Sequence, residues 1–279
     1  MRYRIEHRTT YRYARTAVST QQLLRLTPRS DVHQRVAKWT VRAPGSLSVT
    51  TDAYCNLTHM HTLNQSHGSL RIEACGELEV DALRDGRLDE AGGLPPAVFL
   101  ASTPLTEPDA RLLDFAGTRL RRRSAAGLLE FAQAVTAAVA YRPGATHVQT
   151  TAAAALALGQ GVCQDHGHVF IAGCRAAGIP ARYVSGYYHR PGLGADTASH
   201  AWADAWVDDG WVSIDITHSC FASDALVRLA IGRDYDTACP VRGVRVGGGA
   251  EEMEVTVVMQ SEDVSAVRHD VAHDEEVVA

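Results

Sequence analysis

The sequence predicts an α+β protein: an N-terminal β-sandwich-like domain, then a second domain in which helices pack on an antiparallel sheet. Three observations carry this. The first eighty residues alternate apolar and polar positions with period two between turn signals; residues 106–177 carry capped helical segments; after Pro180 the period returns to two. At 279 residues the chain is long enough for one large or two modest domains, against the usual ~100–200 residues per domain.

The elements follow in order. Tyr3, Ile5 and His7 alternate with charge, Trp39 to Val41 and Leu47 to Thr50 are strand-forming, and residues 70–80 alternate again, with Ala43-Pro44-Gly45 as a turn. Short strands with one apolar face must pair face to face, which predicts the sandwich over residues 1–88. The Asp-, Gly- and Pro-rich stretch 85–108 reads as a surface linker and domain boundary. Thr106-Glu107-Pro108-Asp109 resembles a capping box opening a helix over 110–120, and Ser124 caps a second helix reaching about Tyr141, stopped by Arg142-Pro143-Gly144. A third helix over 151–158 ends at Gly159, and a fourth runs from Cys163 to Ala177 before Gly178-Ile179-Pro180. Strands are expected over 181–188, 199–207, 211–216, 241–246 and 253–259. The second domain is thus expected to span 100–260, with 261–279 as a flexible acidic tail.

Composition narrows the function. A formal net charge of −5 and a pI of about 6.2 argue against a nucleic-acid or anionic-membrane binder, which works through excess basic charge. No stretch approaches ~18 consecutive apolar residues, so no membrane span is expected. The opening MRYRIEHRTTYRY lacks the apolar core of a secretory signal, and a cytoplasmic location is the expectation. Cysteines stand at 55, 75, 163, 174, 220 and 239 without a CxxC pair, so neither a disulfide framework nor a zinc knuckle is signalled.

One of these cysteines is placed for chemistry. Cys163 follows a glycine at the predicted start of a helix, where unpaired N–H groups and the helix dipole favour negative charge, and the thiolate is the nucleophilic form. Ser199 to Trp206 alternates strictly, placing His200, Trp202, Asp204 and Trp206 on one strand face and three alanines on the other. Asp208-Asp209-Gly210 marks a hairpin, with Trp211 to Asp215 as the return strand. A two-residue loop at Asp209-Gly210, or a four-residue loop over 207–210, puts Asp215 and His200 on the same face; a three-residue loop without a bulge does not. In the four-residue register Asp215 lies opposite Trp202, diagonal to His200 and within reach of it. Cysteine, histidine and carboxylate in that order supply nucleophile, general base and orienting group.

The residues that carry this pattern also resemble a known family. Gly161-Val162-Cys163-Gln164-Asp165, the run from Gly178 to Tyr187, Ser199-His200-Ala201-Trp202, and Gly210-Trp211-Val212 leading to Asp215-Ile216-Thr217 are similar to the bacterial transglutaminase-like superfamily, of papain-like fold. Residues 232–243 resemble the segment that follows the core in the bacterial branch, and residues 1–80 its N-terminal β domain. The resemblance implies that Cys163 is nucleophile, His200 base and acid, and Asp215 the orienting carboxylate. It also implies an oxyanion donor at the Cys163 N–H, with Gln164 and Tyr141 as further candidates, Gln164 being expected to brace its loop instead. Two departures stand out. His166 and Gly167 replace an aromatic and a small residue before His168, and Asp215-Ile216-Thr217 replaces Asp-Pro-Thr.

Bland readings stand beside these. His166 and His168 lie two apart on a helix and do not share a face, so a metal site with Cys163 is disfavoured. His59, His61 and His67 with Cys55 resemble a ligand cluster by count but lack a paired-cysteine frame, and the histidines read as solvated side chains. Asp204 competes with Asp215 as orienting carboxylate but sits four residues along the strand. Trp202, Trp206 and Trp211 either line an acyl-binding groove or pack the hairpin. The function expected is a cysteine-dependent peptidase or amidase with a peptide or protein substrate and no cofactor or metal. The alternatives are a transamidating acyltransferase and a non-catalytic peptide-binding protein of the same fold.

Overall fold

The computed structural model describes residues 1–90, 93–189 and 198–262. The acidic tail expected over 261–279 falls, past residue 262, outside the described residues. In chain order come β1 (Arg2–Leu24), β2 (Gln34–Arg42), β3 (Ser46–Thr51), β4 (Leu57–Leu63), β5 (His67–Val80) and the short β6 (Arg87–Leu88). Then follow α1 (Ala110–Arg119), α2 (Ala125–Ala138), β7 (Ala140–Tyr141), α3 (Ala152–Leu158), β8 (Gln160–Gly161) and α4 (Cys163–Ala176). The chain closes with β9 (Ala181–Tyr188), β10 (Ala198–Val207), β11 (Gly210–Asp215), β12 (Cys220–Phe221), β13 (Leu226–Gly232), α5 (Tyr235–Ala238), β14 (Val241–Gly247) and β15 (Glu251–Glu262).

The N-terminal region is one antiparallel sheet organised on β1. The alternation read from the sequence holds: Tyr3, Ile5, His7, Thr9 and Tyr11 are buried, with Arg4, Glu6 and Arg8 outside. The first half of β1 pairs with β5 and β15, and the second half with β4 and β14. Register shifts between Arg12 and Ser19 mark where one half passes into the other. Leu24 and Leu26 pack with Leu70, Ile72 and Tyr11, so this single sheet curls around its own apolar face, where a sandwich of separate sheets was expected. The C-terminal strands also differ from expectation. β14 and β15, which the sequence reading assigned with the second domain, complete the N-terminal sheet. Periodicity announces a strand but not its partner.

The second sheet runs β12-β11-β10-β9-β13, with β6 on β11. Ala201, Ala203 and Ala205 of β10 lie in the core that α4 fills with Val169, Phe170 and Ala172. Small side chains let the helix approach closely. The Trp202 side of the sheet is covered by Leu83 and by Leu94 and Phe99 of the segment expected to be a plain linker, which therefore supplies both core and a strand. The N-terminal sheet meets β9 and β13 where Tyr3, Ile5, Leu78 and Met259 pack on Tyr187, Val227 and Leu229.

The caps explain the helix limits. Ser124 Oγ and Thr151 Oγ1 accept the Gly127 and Ala154 N–H groups, and Gly159 ends α3 at a φ of 68°. α1 is capped by Asp109, whose carboxylate accepts the Leu112 N–H, and not by Thr106. α2 ends at Ala138, three residues before the expected limit, because Ala140–Tyr141 pairs with Gln160–Gly161.

Candidate active site

α4 begins at Cys163 with Val162 as the residue before it. The Val162 N–H and the Thr146 hydroxyl both donate to Asp165 Oδ2, at 2.8 and 2.7 Å, which fixes the turn entering the helix and places a carboxylate in its first turn. Gly161 is required there, because a Cβ at that residue would stand 2.6 Å from the Asp165 side chain. One turn after Cys163, Gly167 brings α4 against β10: its Cβ position lies 3.4 Å from the Tyr183 ring and 3.9 Å from the Trp202 carbonyl oxygen. This crossing sets Cys163 at the start of β10, beside His200. Cys163 itself is half-buried.

The β10–β11 hairpin turns on Asp208 and Asp209, both in left-handed backbone with φ of 51° and 57°, as a tight two-residue turn requires. Pairing runs from Val207↔Gly210 to Ala203↔Ile214. This is the register in which Asp215 faces the Trp202 position, reached through a tighter turn than the four-residue loop considered from sequence. The result is a hydrogen bond of 2.9 Å from His200 Nε2 to Asp215 Oδ2. With Nε2 committed to the carboxylate, Nδ1 is the nitrogen left for the sulfur of Cys163, which interacts with the ring.

The electrostatics follow from burial and partners. The His200 and Asp215 side chains are 7% and 2% exposed. Burial alone pulls the His200 imidazole down, but hydrogen bonding to Asp215 and Cys163 outweighs it and its pKa rises to about 9. Burial pushes the Asp215 carboxyl up, and hydrogen bonds from His200 and His218 reverse this, holding it well below the usual carboxylate range.

The other sequence candidates separate. The Gln164 amide donates to the Val148 carbonyl at 3.1 Å, which commits it to bracing that loop. The Cys163 N–H, first in α4, has no partner within the helix. Tyr141 is 56% exposed, with its ring 6.2 Å from that of His166. Trp202 is fully buried, donates from Nε1 to Ser213 Oγ at 3.1 Å and packs with Leu88 and Phe99; it is core, not groove. Trp206 stands edge-on to Trp211 at 5.4 Å near the hairpin turn, away from His200, so it too belongs to the packing reading. Asp204 is buried between Arg182 and Arg228, which removes it as a partner for His200. His166 donates to the Val139 carbonyl and accepts from the Thr217 hydroxyl, while His168 Nε2 accepts the Tyr235 N–H, so the two histidines serve different partners.

One residue of the site escaped the sequence reading. His218 donates from Nδ1 to Asp215 Oδ2 at 2.7 Å, and its backbone N–H reaches Oδ1 at 3.2 Å. The signal available was an aspartate followed three residues later by histidine, a spacing that lets a turn fold the side chain back on the carboxylate. One nitrogen or oxygen from each of His200, Asp215 and His218 lies within 4.8 Å of the others, and the three are joined by direct hydrogen bonds.

A buried carboxylate, an imidazole of raised proton affinity and a helix-starting cysteine define the class of a thiol–imidazole site. Comparison places the chain more closely. The transglutaminase-like superfamily matches residues 117–216, and the bacterial transglutaminase-like N-terminal region matches residues 3–79. An uncharacterized protein of Mycobacterium leprae is 30% identical over 286 residues, covering 92% of this chain and 97% of that one. An uncharacterized protein of Mycobacterium tuberculosis is 30% identical over 274 residues, covering 87% of each. The crystal structure of a candidate cysteine protease from Cytophaga hutchinsonii superposes with a TM-score of 0.75 at 20% identity, covering 94% of this chain and 92% of that one, and so shares the fold. The chain belongs to the transglutaminase-like superfamily, with the bacterial N-terminal region preceding the core.

Proposed function

We propose that the protein is a cysteine-dependent hydrolase of peptide or amide bonds that works through an acyl-thioester. The observation that carries this reading is the His200–Asp215 hydrogen bond of 2.9 Å beside Cys163, with His200 holding its proton to about pH 9. A cationic imidazole against the sulfur is the setting in which cysteine attacks as thiolate. In the proposed reaction the sulfur adds to the carbonyl carbon and the oxyanion accepts a hydrogen bond from the Cys163 N–H. His200 then gives its proton to the leaving amine as the C–N bond breaks, leaving a thioester and a neutral imidazole. Water, deprotonated by His200, attacks the thioester; the acid leaves and the proton returns to the Cys163–His200 pair. Asp215 keeps Nε2–H oriented throughout. An amine in place of water would give transamidation.

The test incubates wild type and Cys163→Ala with a peptide library, measuring ammonia or amine release against incorporation of a labelled amine. Release lost in the variant supports hydrolysis. Incorporation well above release would replace hydrolysis with transamidation, and equal turnover in both proteins would remove the catalytic reading.

A further inference from the structure

Asp215 is bonded to two imidazoles, and the mechanism above uses only one. We infer that His218 is a positioning residue that shares the Asp215 carboxylate with His200 and thereby sets how tightly His200 holds its proton. This rests on His200 serving as the base.

The geometry is specific. Oδ2 of Asp215 accepts from His200 Nε2 at 2.9 Å and from His218 Nδ1 at 2.7 Å, and Oδ1 accepts the His218 backbone N–H at 3.2 Å. The His218 ring lies 5.3 Å from that of His200 and 4.8 Å from that of Tyr188, while Tyr188 stands 5.5 Å from His200. The carboxylate is buried, whereas the His218 side chain is 33% exposed, so the second imidazole carries the carboxylate's hydrogen bonding out toward solvent. These separations are those of shared protons. Two ligands on a tetrahedral zinc ion, each 2.0–2.1 Å from it, stand about 3.3 Å apart.

A carboxylate oxygen that accepts from two N–H groups divides its charge between them. Each donor stabilises the anion and weakens what it lends to the other. His218 therefore tempers the hold of Asp215 on the His200 proton, and its removal strengthens that hold. The titratable groups facing His200 are Cys163 and His166 from α4, Tyr188 from β9, Asp215 from β11 and His218 from the turn after it; Cys220 of β12 faces Asp215. Among them His218 is the one that competes for the same oxygen atom.

The inference also explains how Asp215 keeps its orientation without a proline after it. His218 closes the turn by side chain and backbone together, and Thr217 donates to His166 on α4 at 3.0 Å, tying the same turn to the helix that bears Cys163.

The experiment follows the His200 ring by NMR in the full chain labelled at histidine Cε1, its signal assigned by loss in H200Q. H218F keeps a ring against Tyr188 without a donor; H218N keeps a donor at the Nδ1 position without the ring. In H218F the His200 titration moves up by about half to one pH unit. In H218N it stays near the wild-type position. H218A is a second donor-free variant should H218F fail to fold, and H218N stands on its own. No shift in the donor-free variant, a downward shift, or the same shift in H218N overturns the inference. Iodoacetamide labelling of the same samples separates the two readings. Cys163 no more reactive than the exposed Cys75 would refute the catalytic proposal, whereas the His200 titration still decides whether the carboxylate is shared.

Discussion

Two buried carboxylates stand on the same hairpin, Asp204 on β10 and Asp215 at the end of β11, and both are held below the usual carboxylate range. Burial opposes ionisation at each, so each needs partners. Asp204 has Arg182 and Arg228, with Glu90 closing the cluster through Arg182 and Ser213 Oγ nearby. Asp215 has His200 and His218. Arginine keeps its charge throughout the working pH range and offers a fixed fork of donors, so the Asp204 cluster is a permanent ion group that pins β9, β10 and β13 together. Imidazole, unlike guanidinium, can give up its proton, His200 doing so at about pH 9, so the Asp215 cluster can change state. The same carboxylate is thus structural with one set of partners and chemical with the other.

Substitutions can break that contrast. The largest effect on turnover is expected from Cys163→Ala, a loss on the order of 10⁴-fold or more with the fold intact. Asp215→Ala follows at about 10³-fold in kcat, with a modest change in thermal midpoint, because His200 loses its orienting partner. Asp204→Ala is expected to do the reverse. It strands Arg182 and Arg228 in the interior and destabilises the fold by about 3–5 kcal/mol, read by denaturant unfolding, while the Cys163–His200 chemistry of the remaining folded protein persists. An Asp204→Ala protein of wild-type stability but no activity would invert the assignment.

The pH dependence of stability sharpens it. His200 binds its proton more tightly folded, at about 9 against an ordinary 6.5, so its contribution is fully present below pH 6.5 and is lost as pH rises through 9. Asp204 and Asp215, with lowered folded pKa values, contribute above their ordinary 3.8 and lose that contribution as pH falls beneath it. Unfolding free energy measured from pH 6 to 10 should therefore decline in wild type and in Asp204→Ala, and decline less in Asp215→Ala. The smallest effect is expected from Thr217→Val, which removes the hydrogen bond to His166 and lowers kcat about five-fold, the equivalent of ~1 kcal/mol.

The contrast also shows what was legible in the sequence. The caps at Ser124 and Thr151, the Gly159 stop and the alternation through His200 depend on neighbours in the chain, and the residues say so directly. The meeting of His200 and Asp215 needed one further step, the parity of a hairpin register. The partners of Asp204 come from β9 and β13, and those of β14 and β15 from β1, at distances along the chain that no local period encodes. β13 itself was missed because its seven residues are all buried, so LVRLAIG shows no alternation, and Arg228 within it disguises a core strand. Trp202 and Trp206 read equally as groove or core from the sequence, because the residues that cover them, Leu83, Leu88, Leu94 and Phe99, lie more than a hundred positions earlier in the chain. His218 was overlooked because a lone histidine in a turn has many uses and becomes informative only once Asp215 is placed.

The central claim is that Cys163 is the nucleophile activated by His200. Intact-mass analysis and peptide mapping after a brief pulse of an acylating ester test it most directly, because Cys55, Cys75 and Cys220 are exposed and serve as internal controls. The account predicts one acyl group, on Cys163, absent in Cys163→Ala and formed at least ~10²-fold more slowly in His200→Ala. Acyl groups distributed over Cys55, Cys75 and Cys220 with Cys163 unmodified would contradict it.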